Sequence, residues 1–451
     1  MSSFFLTYVF ITTLIFFSSS FVAESTVPSS KTFKFTNKGD FVIAYIVEYG
    51  AAIRALSLSS SPFQLCFYST TPNAMARTTG NAYTLGLIMG DSSESPMMWV
   101  WDANRGNPVG ENATLTFGAD GNLVLADADG RIAWQTGTAN KGVVGVKILP
   151  NGNIVLYDSR GKFIWQSFEH PSDTLLVGQS LHANGPDRIS SRSSDADGSE
   201  GPYSLVLEKN RLNLYLKSKN LKKPLIYYTS DWLGTSEPMT RALFSSSPET
   251  EEAYAYELSF QFFAANSSAG TTILGRPKYN STFSLLRLGS DGSLKIYTYY
   301  DKVLYGIGVW EVTFNLFDLI TGNGGVSECK YPNKCGPLGV CEDEQCVACP
   351  TAKGLLGWTK KCAPPTQRKC DNTGKTNKVD YFKVVGVEHF MSDYSKGEGS
   401  LKLDDCRSKC SKDCRCLGFF YKQESSNCLL APMLGTLNKV ANTSHVAYIK
   451  L

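Results

Sequence analysis

The sequence has few of the residues on which catalysis usually depends. Its 451 residues include only four histidines, and these show none of the short spacings that hold a metal ion. No Gly-x-Ser-x-Gly turn would present a nucleophilic serine, and no glycine-rich loop would cradle a phosphate. The carboxylates show no pairing of the kind that glycosidases need. The sequence therefore predicts a protein that is not an enzyme and that uses no cofactor and no metal.

The chain also has little excess of positive over negative charge. The formal net charge is +3, and Lys and Arg form no run beyond short pairs such as Lys222-Lys223 and Lys360-Lys361. A nucleic-acid-binding surface needs a strongly basic patch. We therefore expect no nucleic-acid partner.

Long hydrophobic runs are missing except at the start of the chain. Residues 4–17 are largely apolar and uncharged, and small residues that include Ser18, Ser19, Ser20 and Ala23 follow them. This pattern is typical of a secretory signal peptide, which we assign to residues 1–23, and a membrane anchor is the alternative. No later segment reaches the roughly 18 apolar residues that a spanning helix needs. The sequence therefore predicts an extracellular protein without a membrane span.

Cysteine is nearly absent from the first part of the chain and dense at its end. Twelve of the 13 cysteines follow Ser327, which predicts a disulfide framework in a secreted chain. Zinc binding by these thiols is the alternative, but an oxidising compartment favours disulfides. Cys66 is the odd cysteine, and its apolar neighbours favour a buried free thiol over a disulfide-linked dimer. The bridges are expected among Cys329, Cys335, Cys341, Cys346, Cys349, Cys362, Cys370, Cys406, Cys410, Cys414, Cys416 and Cys428.

Sites for N-glycosylation are also present. An Asn-x-Ser/Thr sequon is a sugar acceptor only in a chain that enters the secretory pathway, so the sequons and the signal peptide support each other. The predicted sites are Asn112, Asn266, Asn280 and Asn442.

Two stretches of the first half repeat each other at a spacing of 31 residues. They are Asp120-Gly-Asn-Leu-Val-Leu-Ala-Asp127 and Asn151-Gly-Asn-Ile-Val-Leu-Tyr-Asp158, and Trp134 and Trp165 follow at the same offset. In each stretch apolar residues alternate after an Asp-Gly or Asn-Gly turn, which predicts a small hairpin. Such a hairpin cannot bury its own apolar face. We therefore expect the repeats to pack together, with their tryptophans in a shared core.

The composition of the chain changes near Cys329. Before it, fainter copies at residues 212–216 and 291–297 keep the alternation and predict a second, diverged unit. Because no long helical periodicity occurs there, this part is predicted to be all-β. The cysteine-rich segment that follows cannot build an adequate core and needs cross-links. A short amphipathic helix is predicted to begin at Leu403, with Cys406 and Cys410 one turn apart on its face.

Three segments carry a resemblance to a known family. They are Trp101-Asp-Ala-Asn-Arg-Gly-Asn-Pro108, Asp120-Gly-Asn-Leu-Val-Leu125 and Trp165-Gln-Ser-Phe-Glu-His-Pro-Ser-Asp-Thr-Leu-Leu176. On these segments the sequence resembles the plant epidermis-specific secreted glycoproteins, a group within the bulb-type, mannose-binding lectin superfamily. It is also similar to the extracellular half of S-locus-type receptor kinases. The cysteine cluster at residues 406–428 resembles a PAN/apple module.

The resemblance implies a mainly β architecture with several domains. Tandem β-prism II (bulb-type lectin) domains would be followed by a small disulfide-rich EGF-like segment and an α+β PAN/apple domain. The implied boundaries are 31–171 for the first lectin domain, 172–320 for the diverged second one, 328–363 for the EGF-like knot and 370–451 for the PAN/apple domain. It also implies the bridges Cys406–Cys428 and Cys410–Cys416.

The resemblance further implies where a sugar would bind. The superfamily's motif resembles Gln, Asp, Asn, Val and Tyr at alternate positions of one strand, so that the five side chains share a face. The first repeat places Gly118, Asp120, Asn122, Val124 and Ala126 at these positions. The second repeat places Leu149, Asn151, Asn153, Val155 and Tyr157 there. The expected carbohydrate site is therefore Asn151, Asn153, Val155 and Tyr157, with Asp120, Asn122 and Val124 as a second candidate. A purely structural role of these Asn and Asp residues in turns and at strand ends is the alternative.

Two functions follow from this reasoning. The first is a secreted lectin-like glycoprotein of the cell wall or apoplast that binds glycans, of mannose type, on glycoproteins or wall polymers. The second is an apoplastic interaction or structural protein that keeps the lectin scaffold without its sugar sites and acts through its PAN and lectin domains.

Overall fold

The structure is a computed structural model in which residues 26–43, 46–71, 81–90, 95–218, 223–230, 237–248, 256–265, 267–279, 281, 283–300, 309–318, 326–365 and 379–451 are described. Antiparallel strands dominate these residues, which confirms the predicted mainly β fold class. The predicted signal peptide at residues 1–23, the sequons at Asn266 and Asn280, and Cys370 lie outside the described residues. No helix in the described part is both long enough and apolar enough to cross a bilayer.

Three antiparallel sheets form the first unit. The first sheet has the order β2-β3-β4-β5, the second sheet β1-β6-β7-β8 and the third sheet β11-β10-β9. The strands are β1 Phe33–Thr36, β2 Ala52–Ser60, β3 Phe63–Ser69, β4 Thr84–Met89, β5 Met98–Asp102, β6 Thr114–Phe117, β7 Leu123–Ala126, β8 Ile132–Gln135, β9 Val143–Ile148, β10 Ile154–Asp158 and β11 Phe163–Gln166.

The turns of the two repeats require glycine. Gly121 and Gly152 precede β7 and β10 and have φ angles of +79° and +84°. A Cβ atom at Gly121 would lie 2.8 Å from the Cβ of Val143, and one at Gly152 would lie 2.7 Å from the Phe63 side chain. Both the backbone angle and the close packing therefore exclude a larger residue. The predicted Asp-Gly and Asn-Gly turns thus start the two hairpins.

One tryptophan from each sheet meets at the centre of the first unit. Trp101, Trp134 and Trp165 pack edge to face, with ring centroids 5.7–6.1 Å apart and interplanar angles of 72–75°. This geometry suits the quadrupoles of aromatic rings. The repeat predicted the contact between Trp134 and Trp165, and the structure adds a third copy on the first sheet. The three sheets therefore surround one shared core, as in a β-prism.

The second unit repeats this arrangement with three four-stranded sheets. Their orders are β12-β21-β22-β23, β13-β18-β19-β20 and β14-β15-β16-β17. The predicted faint copies form β16 and much of β22. The strands are β12 Thr174–Leu176, β13 Ser180–His182, β14 Arg188–Arg192, β15 Glu200–Leu207, β16 Leu212–Leu216, β17 Leu225–Thr229, β18 Met239–Pro248, β19 Tyr256–Ala264, β20 Ser267–Gly275, β21 Ser284–Leu288, β22 Leu294–Tyr299 and β23 Trp310–Asn315.

The C-terminal part contains two sheets and the α-helix of the described residues, α1 (Leu403–Lys412). The helix begins at the predicted residue. The sheets have the orders β26-β25-β24-β31-β28 and β27-β32-β29-β30. The strands are β24 Leu338–Glu342, β25 Gln345–Thr351, β26 Gly354–Gly357, β27 Tyr381–Val385, β28 Val387–His389, β29 Gly418–Lys422, β30 Asn427–Ala431, β31 Gly435–Lys439 and β32 His445–Lys450.

The cysteine-rich segment does not stand apart from the last 70 residues. Strand β24 pairs in parallel with β31, so that Leu338 lies opposite Gly435 and Cys341 opposite Asn438. One five-stranded sheet therefore contains strands from both sides of the gap at residues 366–378. No pattern in the sequence predicted this pairing.

Disulfides cross-link this C-terminal part. Cys406 and Cys410 lie on the buried face of α1 and bond to Cys428 and Cys416. Cys414 is also disulfide-bonded. Cys66 is a free, buried thiol, as predicted. The bridges of the cysteine-rich segment are Cys329–Cys341, Cys335–Cys346 and Cys349–Cys362.

Candidate carbohydrate-binding faces

The third sheet brings the four residues of the expected sugar site onto or next to β10. Asn151 is exposed in the turn before the strand, and Tyr157 is half-buried on the outer face of the sheet. Asn153 and Val155 lie on the same strand face but are only 4% and 0% exposed. A ligand on this face would therefore reach Asn151 and Tyr157 before it reached the two residues between them.

Asn153 already uses its polar atoms within the protein. Its Nδ2 donates to Oε1 of Gln166 at 2.8 Å, while its Oδ1 accepts from the Ser167 hydroxyl and the Phe168 N–H, both at 3.2 Å. Both acceptor positions of the amide oxygen are thereby filled. In this arrangement Asn153 fixes β11 against β10 rather than facing a ligand.

The first repeat shows the same arrangement 31 residues earlier. Asn122 donates to Oε1 of Gln135 at 2.9 Å and accepts from the Thr136 hydroxyl and the Thr138 N–H. The exposed Asp120 accepts from the Asn122 N–H in the turn. On the strand itself, Val124 and Ala126 are half-buried. In both repeats the structure thus gives the Asn residue a structural role at the strand end.

The outer face of the third sheet, called the open face below, also contains residues that the sugar motif did not indicate. The Tyr157 ring lies over Gly145, where a Cβ atom would come within 2.6 Å of the phenol oxygen. The ammonium groups of Lys147 and Lys31 lie 5.0 and 5.6 Å from the centre of this ring. Phe163 lies opposite Tyr157 on β11 and is 41% exposed. At the 31-residue offset Phe163 aligns with Ile132 of the first repeat, so a large apolar residue recurs at this position. Ile132 is also exposed, at 54%.

Strand register identifies the corresponding positions on the first sheet. Leu87, Leu125 and Leu156 pair with the three core tryptophans, so the residue after each leucine occupies one equivalent outer position. That position is Ile88 on the first sheet and Tyr157 on the third. The residue after each tryptophan is likewise equivalent, which aligns Asp102 with Gln135 and Gln166.

The outer face of the first sheet, called the covered face below, is buried beneath the second unit. Tyr68, which is 2% exposed, donates to Oδ1 of Asp102 at 2.8 Å and accepts from Nη1 of Arg192 at 3.1 Å. Arg192 comes from β14 of the second unit and pairs with Asp102 at 3.3 Å. Burial raises the pKa of Asp102, and the Arg192 charge opposes this rise. This face therefore joins two parts of the chain and offers no ligand surface.

Further contacts hold the two units together. Arg105 donates from all three guanidinium nitrogens to carbonyls of Ser190, Ser191 and Gly198, at 2.8–2.9 Å. Arg287 of β21, in the second unit, pairs with Glu48 of the first unit at 2.5 Å. Because an arginine fork offers five donors in a fixed plane, it suits such multiple contacts.

Two tyrosines of the faint copies and two of the predicted sequons lie on other strands and loops. Tyr215 on β16 donates its hydroxyl to Glu208, and burial raises the pKa of Tyr297 on β22. The sequons Asn112 and Asn442 are both exposed, and a positive φ of +62° places Asn112 in a turn. Both asparagines are therefore accessible for modification.

Comparison with known proteins agrees with the lectin-like architecture. A family model described as D-mannose binding lectin matches residues 98–194, which include the third sheet and its Trp165. The chain is 29% identical to a G-type lectin S-receptor-like serine/threonine-protein kinase of Arabidopsis thaliana, over 82% of this chain and 44% of the kinase. The shared part therefore lies within less than half of that kinase.

Two glycoproteins match over most of their length. The chain is 50% identical to the epidermis-specific secreted glycoprotein EP1 of Daucus carota, over 80% of this chain and 94% of that one. It is 49% identical to EP1-like glycoprotein 2 of Arabidopsis thaliana, over 95% of this chain and 96% of that one. With about half of the residues identical across nearly the whole of both chains, this chain belongs to the EP1 family of bulb-type lectin glycoproteins.

Proposed function

We propose that the protein is a secreted, non-enzymatic glycan-binding glycoprotein of the plant cell wall, and that it binds mannose-type sugars at the open face. Its membership of a family with secreted glycoproteins supports secretion, as does the apolar N-terminal segment. The observation that carries the binding proposal is the pair of accessible rings, Tyr157 and Phe163, directly opposite each other on β10 and β11.

The open face offers the two kinds of contact that a sugar needs. The rings supply apolar surface for the C–H groups of a pyranose. The Tyr157 hydroxyl has no hydrogen-bond partner among the described residues. The exposed Asn151 adds an amide near the start of the strand. Asn153 and Val155 hold β10 and β11 in place beneath these groups. The site would thus be shallow and weak for a single sugar.

A pair of matched variants tests the proposal. Binding of a mannose trisaccharide to the full-length protein is measured by titration calorimetry, with Phe163→Ala and Tyr157→Ala as test variants. Ile132→Ala, at the same position one repeat earlier, is the control. We expect at least a tenfold loss of affinity in each test variant and none in the control. Equal binding by all variants, or no binding by the unchanged protein, would refute the proposal.

The alternative is an interaction or structural protein of the apoplast. It is favoured by the locked amides of Asn122 and Asn153, since neither repeat leaves the asparagine of the sugar motif free. Under this proposal the protein would act through the PAN-like residues 370–451 and the lectin scaffolds at residues 31–171 and 172–320, with the EGF-like residues 328–363 between them. A glycan array that shows no binding by the folded protein would favour it.

A further inference from the structure

A cavity of about 340 Å³ opens on the second unit, away from the sugar-motif residues. Its lining includes His182, Thr240, Arg241, Phe263, Ala265 and Ser267. This volume lies near the lower end of the range for ligand sites in proteins, which suits a ligand of one or two sugar rings.

Strand register explains how these side chains come together. His182 on β13 lies opposite Arg241 on β18, which in turn lies opposite Phe263 on β19. The neighbouring row, Leu181, Ala242 and Phe262, is fully buried in the core. Because side chains alternate across a sheet, the row of His, Arg and Phe faces outward. The cavity therefore lies on the outer face of the β13-β18-β19-β20 sheet.

The cavity has a positive charge that no carboxylate of its lining neutralises. The Arg241 guanidinium lies 4.0 Å from the centre of the Phe263 ring. Among the described residues it has no hydrogen bond and no ion pair, and the cavity lining includes no Asp or Glu. Stacking on the ring limits the rotation of the guanidinium and leaves its N–H edge free, which is the edge that binds a carboxylate through two parallel hydrogen bonds.

The other lining groups suit a sugar. The Thr240 hydroxyl donates to the Phe263 carbonyl at 3.1 Å, so its lone pairs remain available to accept from a ligand hydroxyl. Ser267 is exposed and adds a second hydroxyl, and Ala265 provides an apolar wall. A neutral hexose would leave the Arg241 charge unpaired. From this combination we propose that the cavity binds a uronic-acid unit of an acidic polysaccharide, with the carboxylate on Arg241.

Binding of galacturonic acid trimer to the full-length protein, measured by titration calorimetry, tests this site. The neutral galactose trimer serves as the ligand control. The chain carries Asn266→Gln, so that no sugar is attached at the predicted sequon that includes Ser267. We expect Arg241→Gln to weaken binding of the acidic trimer at least tenfold. Arg241→Lys should recover it only in part, because an ammonium group cannot form the two parallel bonds.

Arg276→Gln is the matched control variant. It removes the same charge just past the end of β20 in the same sheet, where Arg276 pairs with Glu257, and should leave binding unchanged. The proposal is overturned if Arg241→Gln binds normally, if Arg276→Gln loses as much affinity, or if the neutral trimer binds equally well. Tyr157→Ala should not affect the acidic trimer, so failure of mannose binding at the open face would leave this result intact.

Discussion

The covered face and the open face are built on equivalent strands and differ in what lies on top of them. On the covered face, the position equivalent to Tyr157 holds Ile88, and the position equivalent to Gln166 holds Asp102. Arg192 from the second unit packs there against Asp102 and Tyr68. On the open face no described residue of the second unit forms a comparable ion pair. One sheet of the first unit thus packs against the second unit, and another keeps an outer face without such an ion pair.

Two equivalent positions illustrate how the covered and open faces differ. A carboxylate replaces an amide next to the core tryptophan, and an aliphatic residue replaces a phenol on the adjacent strand. A buried carboxylate needs a cationic partner, and Arg192 supplies one. The assembly face is therefore specified by charge pairing, whereas the open face keeps groups that water can solvate.

Among the variants that compare the two faces, removal of Arg192 should have the largest effect on the free energy of unfolding. Arg192→Met leaves Asp102 buried without a cation, which typically costs about 3–5 kcal/mol of unfolding free energy. Urea unfolding followed by circular dichroism measures the loss. Adding Asp102→Asn to the same chain should restore part of it. An unchanged urea midpoint in Arg192→Met would show that the ion pair does not hold the two units together.

Two tyrosine variants compare the two faces more directly, and their expected effects on stability are smaller. Tyr68→Phe removes a buried hydroxyl that bonds both Asp102 and Arg192, and should cost about 1–3 kcal/mol. Tyr157→Phe removes a solvated hydroxyl and should change stability by less than about 0.5 kcal/mol. The same urea experiment compares them. Equal losses would mean that the two faces are equally buried in solution.

The reactivity of the Cys66 thiol measures the burial of the covered face, and this measurement does not change the stability of the protein. It is 0% exposed and burial raises the pKa of the thiol, so little reactive thiolate is present near neutral pH. We expect a thiol reagent to modify the native protein very slowly and one thiol per chain after denaturation. Fast modification of the native protein, or a dimer on a non-reducing gel that Cys66→Ser abolishes, would contradict a covered face.

The sequence predicted most of what depends on local pattern. The 31-residue repeat predicted two hairpins and the packing of Trp134 against Trp165. The segment Leu403-Asp-Asp-Cys406 predicted the start of α1 at Leu403. The predicted sugar residues do share a strand face. However, their alternation could not show that Asn153 is locked by Gln166, because that contact depends on the shape of the following turn.

Features that join distant parts of the chain were not predictable. Asp102 and Arg192 are 90 residues apart, and no local pattern marks either as a partner of the other. The first sheet was missed as a third copy because Trp101 is nearly all that it retains of the repeated sequence. The row of His182, Arg241 and Phe263 was not predicted either, because these residues become neighbours only when three strands pair.

The parallel pairing of β24 with β31 has a consequence for synthesis of the chain. The two strands start almost 100 residues apart, at Leu338 and Gly435, so β24 emerges from the ribosome long before its partner exists. Until then one edge of β24 exposes unpaired N–H and C=O groups, which favours pairing with other chains. The three bridges between Cys329 and Cys362 close loops of 11–13 residues and can form in this interval. Early oxidation would thus hold the strand in a compact knot until the end of the chain arrives to complete the sheet.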